Sequence, residues 1–145
     1  MALPVTDLAT LLRSLQPVRN PGTYVYAQSP EPNTVAAGDI IASVREAEGL
    51  TLIVEESVAA RHGLQPQWRC AWITLQVSSD LQAVGLTAAF ATALGEAGIS
   101  CNVVAGLHHD HIFVPIRQAD QAMATLLALQ AAHAAAAAPD PTGSP

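Results

Sequence analysis

The stretch AWITLQVSSDLQAVGLTAAFATALGEAGISCNVVAGLHHDHIFVP, residues 71–115, determines the fold that this sequence predicts. The segment from Ala71 to Val77 alternates between apolar and polar residues and is rich in β-forming residues, which predicts a strand. The next segment repeats apolar residues at helical spacing and ends at Gly98, which predicts a helix. Ile99 to Ala105 and His111 to Val114 predict two further strands around a polar turn.

A second helix follows this stretch. Apolar residues recur at helical spacing from Gln118 to about His133, which gives the order β-α-β-β-α. That order is most of a split β-α-β unit of the ferredoxin-like type, an α+β fold in which helices cover one face of an antiparallel sheet. The unit lacks a closing edge strand and leaves the other sheet face open. We therefore expect a homodimer or a larger assembly.

The N-terminal half contains a similar pattern. Its predicted elements are a helix from Leu8 to Leu15 ended by Pro17, a strand at Thr23–Ala27, a hairpin of Ile40–Val44 with Leu50–Val54, and a short helix at Ser57–His62. Shifting the numbering by 61 places residues 40–54 over residues 101–115, so each half reads strand, polar turn, strand, helix. The residues between Ala27 and Ile40 predict a loop instead of a helix, so the first half is degenerate or permuted.

These patterns divide the chain into three parts. Residues 1–66 form a degenerate N-terminal unit and residues 67–133 form a C-terminal unit. Residues 134–145 form an Ala-rich helix end and a disordered tail. Each unit has about 60 residues, a marginal size for an isolated fold, so we expect the two to share a sheet or a core.

Charge and composition exclude several classes of function. Six Arg against twelve acidic residues give a net charge of −6, so the chain lacks the basic face that nucleic acids or anionic membranes attract. No apolar run approaches the ~20 residues of a spanning helix. Two Cys do not make a disulfide framework, and no basic residue precedes the first apolar stretch. These features predict a cytoplasmic protein.

The turn from Ser79 to Thr87 is the first candidate ligand site. It joins a strand end to a helix N-terminus, where free backbone N–H groups and a partial positive charge suit a carboxylate. Gly85 allows a ligand to approach the backbone, and Asp80 offers an acceptor for an ammonium group. In the structural alternative, Ser79 or Asp80 caps the helix and Gly85 packs against a strand. The candidate binding residues in this turn are Ser79, Asp80, Val84, Gly85, Leu86 and Thr87.

Asn102 and Val103, on the strand after the helix, complete the candidate binding set. An Asn in an apolar strand needs hydrogen-bond partners if it is buried. A ligand would supply them, as would a neighbouring strand or subunit.

His108, His109, Asp110 and His111 form the densest cluster of metal-type ligands. Zinc needs three or four converging ligands, but in a strand His109 and His111 share one face and Asp110 points to the other. We therefore expect a polar hairpin turn, with no metal and no other cofactor. Cys101 lies in an apolar strand, where a thiol stays protonated and inert, so a catalytic Cys–His pair is not expected.

Several motifs occur along the chain in a fixed order. They are Asp7-Leu8 with Leu11-Leu12 and Pro17, Tyr24-Val25-Tyr26, Glu48-Gly49-Leu50-Thr51-Leu52, Val84-Gly85-Leu86-Thr87, Ala97-Gly98-Ile99, and His109 to Pro115. Together they resemble the ACT domain, a regulatory module of amino-acid metabolism, and in particular a subgroup of short bacterial ACT proteins of unassigned function. The chain departs from the pattern at residues 81–83, where many ACT domains carry a Pro before the Gly.

The resemblance implies two ACT-like units in tandem, usually self-associating, with an amino acid as the typical ligand. We therefore expect a non-catalytic regulatory protein that holds a small molecule between its units and shifts its assembly by differential binding. Two alternatives remain open: a structural dimerisation module without a ligand, and a metal-dependent hydrolase that uses residues 108–111.

Overall fold

A computed structural model of the protein describes residues 7–77 and 84–137, and the strands in these ranges form one antiparallel sheet of seven strands. The elements are α1 (Leu8–Arg13), β1 (Pro17–Arg19), β2 (Tyr24–Gln28), β3 (Ile40–Glu46), β4 (Gly49–Glu55), α2 (Glu56–Arg61), β5 (Trp68–Leu75), α3 (Leu86–Glu96), β6 (Asn102–Ala105), β7 (Asp110–Pro115) and α4 (Ala119–Ala137). Short 3₁₀ turns cover Ala37–Asp39 and Ile116–Gln118. None of the helices in these ranges combines the length and apolar composition that crossing a membrane requires.

Strand β5 belongs to both units. The sheet order is β3-β4-β2-β5-β7-β6, and β1 also pairs with β5. One unit is therefore β3-β4-β2-β5 and the other is β6-β7-β5-β1, which is the strand order of a ferredoxin-like sheet in each case. The predicted boundary between residues 66 and 67 falls just before this shared strand.

The closing strand of the second unit comes from the start of the chain. Strand β1 pairs with the C-terminal half of β5, with Pro17 opposite Leu75, and β2 pairs with its N-terminal half, with Tyr24 opposite Cys70. The expectation that the second unit lacks a closing strand is thus wrong. The sequence pattern missed β1 because it has only three residues and begins with a proline, so its identity depends on pairing with a strand distant in sequence.

The offset of 61 residues holds for β4 and β7, whereas β3 and β6 align at an offset of 59 because the second hairpin has the longer turn. Gly49 opens β4 opposite Glu46, and Asp110 opens β7 opposite Ala105, so β3-β4 and β6-β7 hold equivalent places in the two units. The segment between β2 and β3 contains only a 3₁₀ turn. The first unit is therefore degenerate at its first crossover, and the second is the permuted one.

Helices cover one face of the sheet, as predicted, and the core divides accordingly. The larger cluster packs α1, α3 and α4 against the second unit through residues such as Leu15, Phe90, Leu94, Leu126 and Ile112. A smaller cluster packs α2 against β2 and β4 through Val25, Leu52, Val54, Val58 and Ala59. A third cluster lies on the opposite face and consists of strand residues alone among those described. We call this opposite side the open face.

Candidate functional site

Helix α3 begins with a first turn that its N-cap residue, Gly85, does not cap with a side chain. Gly85 precedes the helix with φ of 100°, a left-handed conformation that favours glycine, and it supplies no side-chain capping bond. The first intrahelical bond runs from the Ala89 N–H to the Gly85 carbonyl, at 2.9 Å. The N–H groups of Leu86, Thr87 and Ala88 precede this bond and receive no side-chain cap from Gly85, and N–H groups at such a position suit an anion.

The four described residues of the candidate turn have different surroundings. Leu86 is 3% exposed and packs in the core, so only its backbone is available to a ligand. Val84 is 86% exposed and Thr87 is also exposed. A Cβ placed on Gly85 would lie 3.2 Å from Leu8 Cδ2, so α1 packs directly against this turn. Ser79 and Asp80 lie outside the described residues.

Asp110 is a buried carboxyl at the same end of the sheet. It opens β7 directly opposite Leu75, the last residue of β5, and the chain enters the candidate turn shortly after Leu75. Its side of the strand also carries Ile112 and Val114, so it points towards the helices. Asp110 is 9% exposed, and burial raises its pKa. A cation beside it would offset this cost of ionisation.

Exposed apolar side chains occur in the two segments that follow β5 and precede β7. The large hydrophobic residues most exposed in the described ranges are Val84 and Leu107, at 86% and 74%. Leu107 lies in the hairpin that leads into Asp110, and Leu8 contacts Gly85 from α1. Leu8 and Val84 thus lie beside the start of α3, and Leu107 lies in the hairpin that leads into the buried Asp110.

Asn102 and Val103 are not brought to this region. Asn102 pairs with Phe113 and is exposed on the open face. The argument that a buried Asn102 needs a ligand as its hydrogen-bond partner therefore does not apply. Val103 packs against the helix-side core. Asn102 lies three residues along β6 from Ala105, which pairs with Asp110; at 3.3 Å per residue the separation is about 10 Å.

The histidine cluster is divided as the alternation predicts. His111 faces the open face, where its Nδ1 accepts a hydrogen bond from Trp72 Nε1 at 3.1 Å and also contacts the Thr74 hydroxyl. Burial lowers the pKa of His111, which agrees with an unprotonated acceptor. Asp110 points to the opposite side. Within residues 7–77 and 84–137, no three potential ligands converge on a metal-sized site.

Both cysteines are free thiols in apolar surroundings. Burial raises the pKa of Cys70 to about 12 and that of Cys101 to about 11. A nucleophilic cysteine needs a lowered pKa, so neither thiol has the character of one.

Two family models match the chain. One, described as an ACT domain, matches residues 4–71, and a second ACT-domain model matches residues 67–128. The matched ranges overlap at residues 67–71, which include the start of the shared strand β5.

Solved structures agree with these matches. VC0802 from Vibrio cholerae, a protein of unknown function described as a possible transport protein, is 44% identical with a TM-score of 0.72, over 85% of this chain and 95% of that one. The ligand-free regulatory subunit of aspartate kinase from Thermus thermophilus has a TM-score of 0.56 at 12% identity, over 80% and 97% of the two chains. Atu0741 from Agrobacterium tumefaciens has a TM-score of 0.53 at 16% identity, over 75% and 84%. A search of curated proteins gives no match.

The chain belongs to the ACT-domain proteins and carries two ACT domains in tandem. The two structures of low identity support the fold alone. ACT domains are regulatory modules without catalytic activity of their own.

Burial of the Asp110 carboxyl predicts how the free energy of unfolding depends on pH. Because its folded-state pKa is raised above 3.8, its contribution to stability is full below that pH and is lost as the pH rises through the folded-state value. Asp110→Asn cannot ionise, so we expect it to be more stable than wild type near neutral pH. Below pH 3.8 the two proteins should be similarly stable. Urea denaturation at both pH values measures the difference.

Asp120→Asn is the matched control, because Asp120 is exposed and pairs with Arg19 at the surface. Its stability should stay within about 0.5 kcal/mol of wild type. A wild type more stable than Asp110→Asn near neutral pH would contradict the prediction.

Proposed function

We propose that this protein is a non-catalytic regulatory protein that binds an α-amino acid with an apolar side chain. The observation that carries the proposal is the placement of three features at one end of the sheet: a buried carboxyl, a helix N-terminus whose N-cap glycine has no capping side chain, and exposed apolar side chains. The ligand carboxylate accepts from the N–H groups of the first turn of α3. Its ammonium group pairs with Asp110, and its side chain packs on Val84, Leu107 and Leu8.

The ligand is held between segments from both halves of the chain. Leu8 lies on α1, which precedes the first unit, whereas Gly85 and Asp110 belong to the second. We consider two states, one with α1 and β1 docked on the second unit and one with them undocked. A ligand that contacts both segments favours the docked state. It shifts the equilibrium by the difference between its affinities for the two states. The docked state is the regulatory output, and it is read by a partner in the cytoplasm.

Calorimetric titration tests the ligand site directly. A thermal-shift screen of the standard amino acids should identify apolar members that raise the melting temperature. Asp110→Asn should then weaken binding of such an amino acid by about 1.5–3 kcal/mol, the range for a hydrogen bond to a charged group. Leu107→Ser should weaken apolar ligands and leave the stability of the free protein unchanged, because Leu107 is exposed.

The control for titration is again Asp120→Asn, which should bind like wild type. Unchanged affinity in Asp110→Asn would remove Asp110 from the site. If no amino acid raises the melting temperature of wild type, the structural dimerisation module becomes the better interpretation.

We further propose that the protein is a homodimer joined along β6. Among the described strands, β3, β6 and the three-residue β1 pair on one side only, and β1 carries Pro17 and Arg19, which suit an edge that stays unpaired. Strand β3 carries Arg45 and Glu46, and charges of this kind protect a sheet edge from pairing. Strand β6 has the sequence NVVA and carries no charge, so its outer backbone groups are the better template for a second copy.

Charge placed on each edge tests the dimer. Light scattering of wild type should give twice the mass of the chain. Asn102→Lys, at an exposed position of β6, should give a monomer, because a lysine blocks edge pairing. Ser43→Lys, at an exposed position of β3, should remain a dimer. A wild-type monomer at micromolar concentration, or loss of the dimer in Ser43→Lys alone, would contradict this arrangement.

A further inference from the structure

The open face concentrates the aromatic residues of the protein. The chain has six Phe, Trp and Tyr residues, and five of them, Tyr24, Tyr26, Trp68, Trp72 and Phe113, lie in the open-face cluster. Cross-strand register places them side by side, with Tyr26 opposite Trp68 and Trp72 opposite Phe113. Tyr24 meets Trp72 edge to face with ring centroids 5.3 Å apart, and Tyr26 meets Trp68 in the same way.

This cluster is not covered by a helix in the described residues. Phe113 and Ile53 are buried, at 1% and 2% exposure, and the rings of Tyr26 and Trp72 pack against Phe113. Trp68, Trp72 and Tyr26 are half-buried, and Val44 is 53% exposed. Soluble proteins rarely leave large contiguous apolar patches exposed without an interaction role, and a second layer would cover this one.

Charge is distributed unequally between the two faces. Of the charged residues on strands, Arg19 and Arg69 pair with Asp120 and Glu56 of the covering helices, and Arg45 lies opposite Leu50 on the helix side. Glu46 lies on the open face, where its carboxylate accepts from the Thr51 hydroxyl. Glu55 lies opposite Tyr24 at the border of the same face. The strands therefore present acids and no arginine to the open face.

A groove gives this face its shape. It has a volume of about 440 Å³ and lies between Tyr26, Val44, Glu46, Thr51 and Gln67. An apolar side chain fits between Tyr26 and Val44, and a cation next to it in the partner would meet Glu46.

From this distribution we infer that the open face docks an amphipathic, basic segment of another protein. Its apolar side chains cover the aromatic cluster, and its Lys or Arg residues lie beside Glu46 and Glu55. A second copy is the poorer occupant, because two identical faces would bring acids against acids. Residues 1–6, 78–83 and 138–145 contain no Lys or Arg, so these parts of the chain lack the complementary charge. The surface gives the proposed regulatory protein a means of contacting its target.

Both tryptophans of the chain lie on this face, so intrinsic fluorescence reports binding. The probes are two synthetic amphipathic peptides of about 18 residues, or five helical turns, with the same pattern of leucines and either lysine or glutamate at the polar positions. The lysine peptide should bind saturably and shift tryptophan emission to shorter wavelength. The glutamate peptide should not.

Two double variants separate this face from general attraction to an acidic protein. Glu46→Gln with Glu55→Gln should weaken the lysine peptide about fivefold to tenfold, the effect of losing two exposed ion pairs. Glu96→Gln with Asp120→Asn removes the same charge from the helix side and should change binding less than about twofold. Val44→Arg, at an exposed position beside the groove, should also weaken binding.

Three results would overturn the inference. They are the absence of saturable binding by the lysine peptide, an equal loss of affinity in both double variants, and conversion of a wild-type dimer to a monomer by Val44→Arg. The last result would assign the open face to a second copy instead.

Discussion

The pairing of β5 along both of its edges is the constraint on which the rest of the structure depends. One edge pairs with β7, and the other pairs first with β2 and then with β1. The first unit needs β5 as its last strand, and the second needs it as its first strand. Neither unit can close its sheet without residues from the other, and a unit of about 60 residues is marginal by itself. The shared strand joins the two small halves into one sheet. Because β1 pairs with it, α1 lies next to the N-terminus of α3.

Local patterns in the sequence were sufficient for most of this fold. The offset of 61 residues aligned β4 with β7 correctly and β3 with β6 to within two residues, because alternation and turn residues are local properties. Strand β1 was not predictable in this way, since three residues beginning with Pro17 have no alternation to recognise. The sequence of residues 64–69 predicts a linker, although β5 already begins at Trp68. Both errors concern segments whose conformation depends on pairing with distant residues.

The parts of the candidate site that depend on local signals were predictable from the sequence, and the parts that depend on strand pairing were not. The helix N-terminus at Gly85 was recognisable, because a glycine before an apolar helical repeat is a local signal. Asp110 was considered only within the histidine cluster. Its alternation with Ile112 and Val114 was the signal that places an acid on the buried side of β7. Asn102 was included because an Asn in an apolar strand needs hydrogen-bond partners if it is buried, but its pairing with Phe113 places it exposed on the open face.

Native-state hydrogen exchange tests the shared strand most directly. Leu52→Ala and Leu126→Ala remove fully buried side chains from different units, and each should cost about 2–5 kcal/mol. If β5 joins both units into one cooperative structure, each substitution should lower the opening free energy of the slowest amides in β4 and β7 by the same amount. If Leu126→Ala lowers protection in β7 and leaves β4 unchanged, the two units open independently and the shared strand does not couple them.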